Sequence, residues 1–172
     1  MRIGFCAIKF LIPALLGMAA FSVLASEGAS LSKAAERFID RGADFVLKDC
    51  RQPLPVRACP QGKLVRVGPL QRLVDSNSGE RFTYQEFEFA GMRYDFRDGR
   101  VVILTVTGSQ WPAYSNLGVG SARSKVLAAL GRPTSLDGSM VEYCKESVSD
   151  CVTFTFDRTG VATSVSWGFY YD

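Results

Sequence analysis

The chain has no histidine among its 172 residues. That absence excludes a Ser-His-Asp or Cys-His catalytic arrangement within this chain, and also a histidine-ligated catalytic zinc. There is no Cys-x-x-Cys spacing and no glycine-rich phosphate loop of the P-loop or dinucleotide type. No long apolar run follows residue 25, so the remainder contains no obvious membrane span. Charge of either sign is not in excess. The formal charge is +3, and setting aside Arg2 and Lys9 leaves the basic residues nearly balanced by the 17 acidic ones. No basic stripe points to nucleic acid and no polybasic block points to a membrane surface. No metal or cofactor is expected.

The first 25 residues read as a signal peptide. Arg2 and Lys9 give a positive start, Phe10 to Leu24 is apolar, and Val23-Leu24-Ala25 fits a small-residue cleavage site before Ser26. Cys6 lies inside this segment and no cysteine follows the cleavage point directly, so no lipid anchor is expected. Residues 26–172 have the length of one periplasmic domain able to bury a core. They hold four cysteines, Cys50, Cys59, Cys144 and Cys151. An even count in an exported chain suggests disulfides. Three pairings are possible, and the spacing favours the local one, Cys50–Cys59 with Cys144–Cys151.

Hydrophobic periodicity gives the elements. Leu31, Ala35, Phe38, Ile39, Phe45 and Val46 recur at helical spacing after a cap at Ser30-Leu31-Ser32, with Gly42 as a weak point. Strands are expected at Lys63–Val67, at the aromatic-rich Arg81–Phe89, and at Met92, Tyr94 and Phe96. The Asp98-Gly99 hairpin then returns into Val101–Thr107, apolar enough to be buried on both faces. A second helix carries Val126, Leu127 and Leu130, with Ser121 as its cap and Gly131 and Pro133 as its stop. Strands at Met140–Cys144, Cys151–Asp157 and Val161–Tyr170 close the chain, the last with Val161, Val165, Trp167 and Phe169 on one face. Residues 94–101 resemble residues 154–161. The expected fold is α+β: an antiparallel sheet with two main helices on one face, a tandem helix–hairpin repeat and two local disulfides.

The chain is poor in catalytic machinery. The carboxylate pairs Asp95/Asp98 and Glu86/Glu88 are the candidates for acid–base work, and Gly118-x-Gly120 before a helix is a candidate anion site. It is richer in recognition material. Trp111, Tyr114, Trp167, Phe169, Tyr170 and Tyr171 lie outside any obvious catalytic setting. The loop Gly108-Ser109-Gln110-Trp111-Pro112-Ala113-Tyr114 joins a strand to a helix and is not explained by either.

Asn116-Leu117-Gly118-Val119-Gly120-Ser121, with Val126 and Leu130-Gly131-x-Pro133, resembles the helix unit of β-lactamase-inhibitor-like and outer-membrane assembly lipoprotein-like domains. That likeness covers residues 92–170 and lacks the lipidated cysteine of the assembly lipoproteins. A likeness over the whole chain, from the signal peptide through Ala34-Ala35-Glu36-Arg37-Phe38-Ile39-Asp40-Arg41-Gly42 to Trp167-Gly168-Phe169-Tyr170-Tyr171, is to periplasmic immunity proteins. Bacteria keep these against their own type VI secretion amidases of the first family. The resemblance implies a non-enzymatic inhibitor whose partner is a cysteine peptidase of the NlpC/P60 type that cuts peptidoglycan crosslinks. On that basis the loop is the expected blocking element. Gly108 and Ser109 would enter the cleft, Gln110 would add an amide, and Trp111 and Tyr114 would anchor on its rim.

Overall fold

The computed structural model describes residues 30–50, 55, 58–76, 78–146 and 148–169. The segment expected to be a signal peptide, Tyr170, Tyr171 and residues 51–54 and 56–57 of the loop between Cys50 and Cys59 lie outside these residues. The described chain is α+β, with nine antiparallel strands and two α-helices.

Helix α1 spans Lys33–Leu47. Ser32 caps it, its Oγ accepting from the Ala35 N–H at 3.1 Å. Its buried face is Ala35, Phe38, Ile39, Gly42, Ala43, Val46 and Leu47; of the stripe expected from the sequence Ala35, Phe38, Ile39 and Val46 are buried, whereas Leu31 and Phe45 are half-buried. Gly42 lies on the same stripe for a steric reason. A Cβ there would lie 2.6 Å from the indole nitrogen of Trp167, which itself donates to the Phe38 carbonyl at 3.3 Å.

The strands are β1 (Leu64–Val67), β2 (Gln71–Val74), β3 (Arg81–Phe89), β4 (Met92–Arg97), β5 (Arg100–Val106), β6 (Ser135–Asp137), β7 (Met140–Cys144), β8 (Cys151–Phe156) and β9 (Ala162–Gly168). The order is β1-β3-β4-β5-β9-β8-β7-β6, with β2 also on β3. Helix α2 spans Arg123–Leu130. The core face carries Phe87, Phe89, Tyr94, Leu104, Tyr143, Phe154 and Trp167. The disulfides are Cys50–Cys59 and Cys144–Cys151, the second joining directly opposed residues of β7 and β8.

The two halves of the sheet share more than a hairpin pattern. The β4–β5 ladder is bulged between Asp95 and Phe96, and the β8–β9 ladder between Thr155 and Phe156. These positions coincide when residues 94–101 are laid on 154–161. The halves meet where β5 pairs with β9, Leu104 opposite Trp167 and Val106 opposite Val165. Between those pairs Thr105 faces Ser166, their hydroxyls 2.9 Å apart. The register is that of a local two-fold axis passing between these two side chains.

Several expectations need correction. Strand β5 is not buried on both faces, since Ile103 is 38% exposed. Val161 is exposed and Ala162 buried, because the bulge shifts which side of the sheet each residue meets. The residue flanking α2 is Ala122, with no side-chain cap. Ser121 is instead buried and its Oγ accepts from the Gly118 N–H at 3.0 Å. Strands β2 and β6 add to the expected set; all their residues are exposed, so no core-facing alternation marks them in the sequence.

Candidate functional site

The loop after β5 is built from its root upward. The N–H groups of Thr107 and Gly108 both donate to the Gly91 carbonyl, at 2.8 and 2.9 Å. The Trp111 N–H then donates to the Gly108 carbonyl at 3.3 Å and closes a turn over Ser109 and Gln110. Both of those residues are exposed. The Gln110 side chain folds back, its Nε2 donating to the Ala90 carbonyl at 2.8 Å. Its amide fills the space above two glycines. A Cβ at Gly91 would stand 2.7 Å from Gln110 Nε2, and Gly91 also has a φ of 76°, which glycine adopts without strain.

Trp111 does not offer its ring to the outside. It is 4% exposed, packs edge-on against Phe89 at 6.0 Å between ring centres, and donates from Nε1 to the Ala90 carbonyl at 2.9 Å. Tyr114 is half-buried and turns inward as well, its ring 5.7 Å from Phe38 and 5.6 Å from Phe45 of α1. The expectation that both aromatics stand on a cleft rim is therefore corrected: they fix the two ends of the loop to the body of the protein. A polar handle on a large apolar ring suits Trp111 to this, since its one donor is satisfied inside. Of the five loop residues singled out from sequence, Ser109 forms the exposed tip, Gln110 braces it, and Gly108 leaves room for the brace.

The other candidates are not assembled into sites. Glu86 and Glu88 are both held by Arg66, each at 3.1 Å. Asp98 accepts from the Thr83 N–H and hydroxyl at 2.8 Å, which lowers its pKa. Asp95 is 3% exposed on the face away from the helices. Burial raises its pKa, opposed by a hydrogen bond from Tyr84 and by Arg93, whose Nε is 3.8 Å away. Burial first, and then Asp95, pushes Tyr84 up to about 12. The amides near Gly118-x-Gly120 are already used: Gly118 by Ser121 Oγ, Gly120 by the Ala162 carbonyl and Arg123 by the Gly160 carbonyl. Glu142, Cys144 and Cys151 cluster closely, but both sulfurs are committed to the disulfide.

On the same face a groove of about 520 Å³ runs over the centre of the sheet, lined by Leu73, Phe82, Tyr84, Ile103, Thr153 and Ser166. Its walls are mainly apolar and its floor carries hydroxyls. No family, no curated protein and no solved structure matches this chain.

Proposed function

We propose that the chain is a periplasmic immunity protein that binds a type VI-secreted peptidoglycan amidase of the NlpC/P60 cysteine-peptidase type and blocks its Cys-His cleft. One observation carries the reading. A short exposed tip, Ser109-Gln110, is held between two glycines and a buried tryptophan, so it would enter a cleft with little ordering left to do. The Ser109 hydroxyl both donates and accepts, which suits a site made of an imidazole and a thiol. Two disulfides agree with an oxidising compartment.

The test is binding and inhibition of a first-family type VI amidase by the wild type, Ser109→Ala and Ser109→Arg. The wild type is expected to bind and to stop crosslink cleavage. Ser109→Arg, a bulky charge at the tip, should abolish both without changing the fold. Wild-type levels of binding by Ser109→Arg would remove the loop from the interface. The equivalent bulges in the two halves agree with the tandem architecture expected of β-lactamase-inhibitor-like domains. A serine β-lactamase and an assay for copurifying outer-membrane barrels therefore belong in the same experiment, as the competing inhibitor and envelope-assembly readings.

A further inference from the structure

The blocking loop does not stand on its own strand alone. The Trp111 ring lies over Gly62, where an added Cβ would come within 2.7 Å of Trp111 Cζ2. Gly62 is tied to Cys59 by an isolated β-bridge and by its own N–H to the Cys59 carbonyl at 3.4 Å. The next residue, Lys63, accepts from the Ala90 N–H at 3.0 Å. The Ala90 carbonyl on the other side of that residue receives both Gln110 Nε2 and Trp111 Nε1. Cys59 is in turn bonded to Cys50, which is buried at the end of α1, its N–H on the Leu47 carbonyl at 3.0 Å. A covalent link from the helix thus runs through Cys59 and Gly62 to the floor on which Trp111 rests.

We infer that the Cys50–Cys59 disulfide is a positioning device for the blocking loop: it holds the Cys59–Lys63 segment under Trp111 and thereby keeps Ser109 in its binding geometry. This rests on the reading of Ser109 as the blocking tip. The inhibitor is then fully competent only after oxidation. The Cys144–Cys151 bond, between β7 and β8 in the other half of the sheet, does not touch the segment under Trp111 among the described residues; it reaches the loop only at Tyr114, through the Lys145–Asp40 ion pair and α1, and serves as the internal control.

The experiment compares the double variant Cys50→Ser/Cys59→Ser, Gly62→Ala with both disulfides intact, and Cys144→Ser/Cys151→Ser, with Ser109→Arg alongside. Amide hydrogen exchange at Gly108 and Trp111 and affinity for the amidase are both read, with circular dichroism to confirm the fold. The first two variants should exchange at least about tenfold faster at those amides and bind about tenfold or more weakly, because the competent loop is less populated. The Cys144→Ser/Cys151→Ser protein should match the wild type in both. Unchanged exchange in the folded Cys50→Ser/Cys59→Ser protein overturns the inference, as does an equal change in the Cys144→Ser/Cys151→Ser protein. Unchanged affinity of that first variant while Ser109→Arg abolishes binding overturns it too. If exchange quickens as expected but Ser109→Arg still binds, the reading of Ser109 as the blocking tip falls, while the hold of the disulfide on the loop geometry stands. Should loss of the disulfide prevent folding, unchanged exchange at Gly108 and Trp111 in Gly62→Ala overturns the inference, because the segment that the disulfide holds would then not set the loop.

Discussion

Replacing Asp95 by asparagine should make the protein more stable at neutral pH. Asp95 is almost wholly buried, and its Oδ1 has no hydrogen-bond partner. The compensation is incomplete: Tyr84 gives one hydrogen bond, and the Arg93 guanidinium, about half exposed, stands 3.8 Å away, where solvent weakens the attraction. Glu86, directly opposite in the β3–β4 register, adds a like charge. A buried polar atom left unsatisfied costs about 1–3 kcal/mol. Asparagine keeps the shape and an acceptor for Tyr84, and its amide N–H groups take the unpaired place of Oδ1, so the gain comes from removing the buried charge alone; about 1 kcal/mol is expected, or about 2–4 °C in Tm. The pH dependence distinguishes this origin from others. Because the native pKa is raised above the ordinary 3.8, the native state holds its proton more tightly than the unfolded chain. Wild-type stability therefore falls as pH rises through the window between 3.8 and the raised value, and stays lowered above it. Below that window Asp95 is neutral, and the advantage of the variant should shrink. Urea unfolding of both proteins across this range measures the difference, in which every other carboxylate cancels. A variant less stable at neutral pH, or an advantage that persists unchanged into acid, would refute the reasoning.

Asp98 and Asp157 should behave in the opposite sense. Both accept hydrogen bonds from neighbouring N–H and hydroxyl groups that lower their pKa, so their stabilisation is present above 3.8 and lost as pH falls through the native values. Asp98→Asn/Asp157→Asn should be less stable than wild type at neutral pH, with the gap closing in acid titrations of unfolding. Gly42→Ala should cost about 1–3 kcal/mol by driving a methyl into the Trp167 indole, against the usual helix-stabilising effect of alanine; urea midpoints decide the sign. Ser32→Ala should cost about 1–2 kcal/mol, since the hydroxyl caps α1 and also donates to the Leu130 carbonyl of α2. A loss within a few tenths would show that water replaces it.

The strands with a clean two-residue alternation were legible from sequence, as were the α1 stripe and the local disulfides, because each depends on neighbours close in the chain. What could not be read depends on distant partners. Strand β2 has all four residues exposed, so no core-facing alternation marks it. The two sheet bulges shift which face a side chain meets, and nothing in the run Val161-Ala162-Thr163 announces that. Trp111 sits in a loop of small and polar residues, where exposure was the natural expectation. Its burial is decided by Gly62 and Ala90, which arrive from two other segments. Gln110 could not be identified as a brace for the same reason. In contrast, Gly108 was a visible signal of close approach whose partner, the Gln110 amide, was missing.

Helix α1 precedes the first half of the sheet in sequence but is seated on the second. Phe38 meets Phe154 of β8 and Trp167 of β9, and the latter's indole binds the helix backbone. Neither half is therefore a self-sufficient folding unit. Hairpins can close early within each half, while the first-made helix must wait for the last-made strand, a loop closure of more than a hundred residues that makes the final docking step slow.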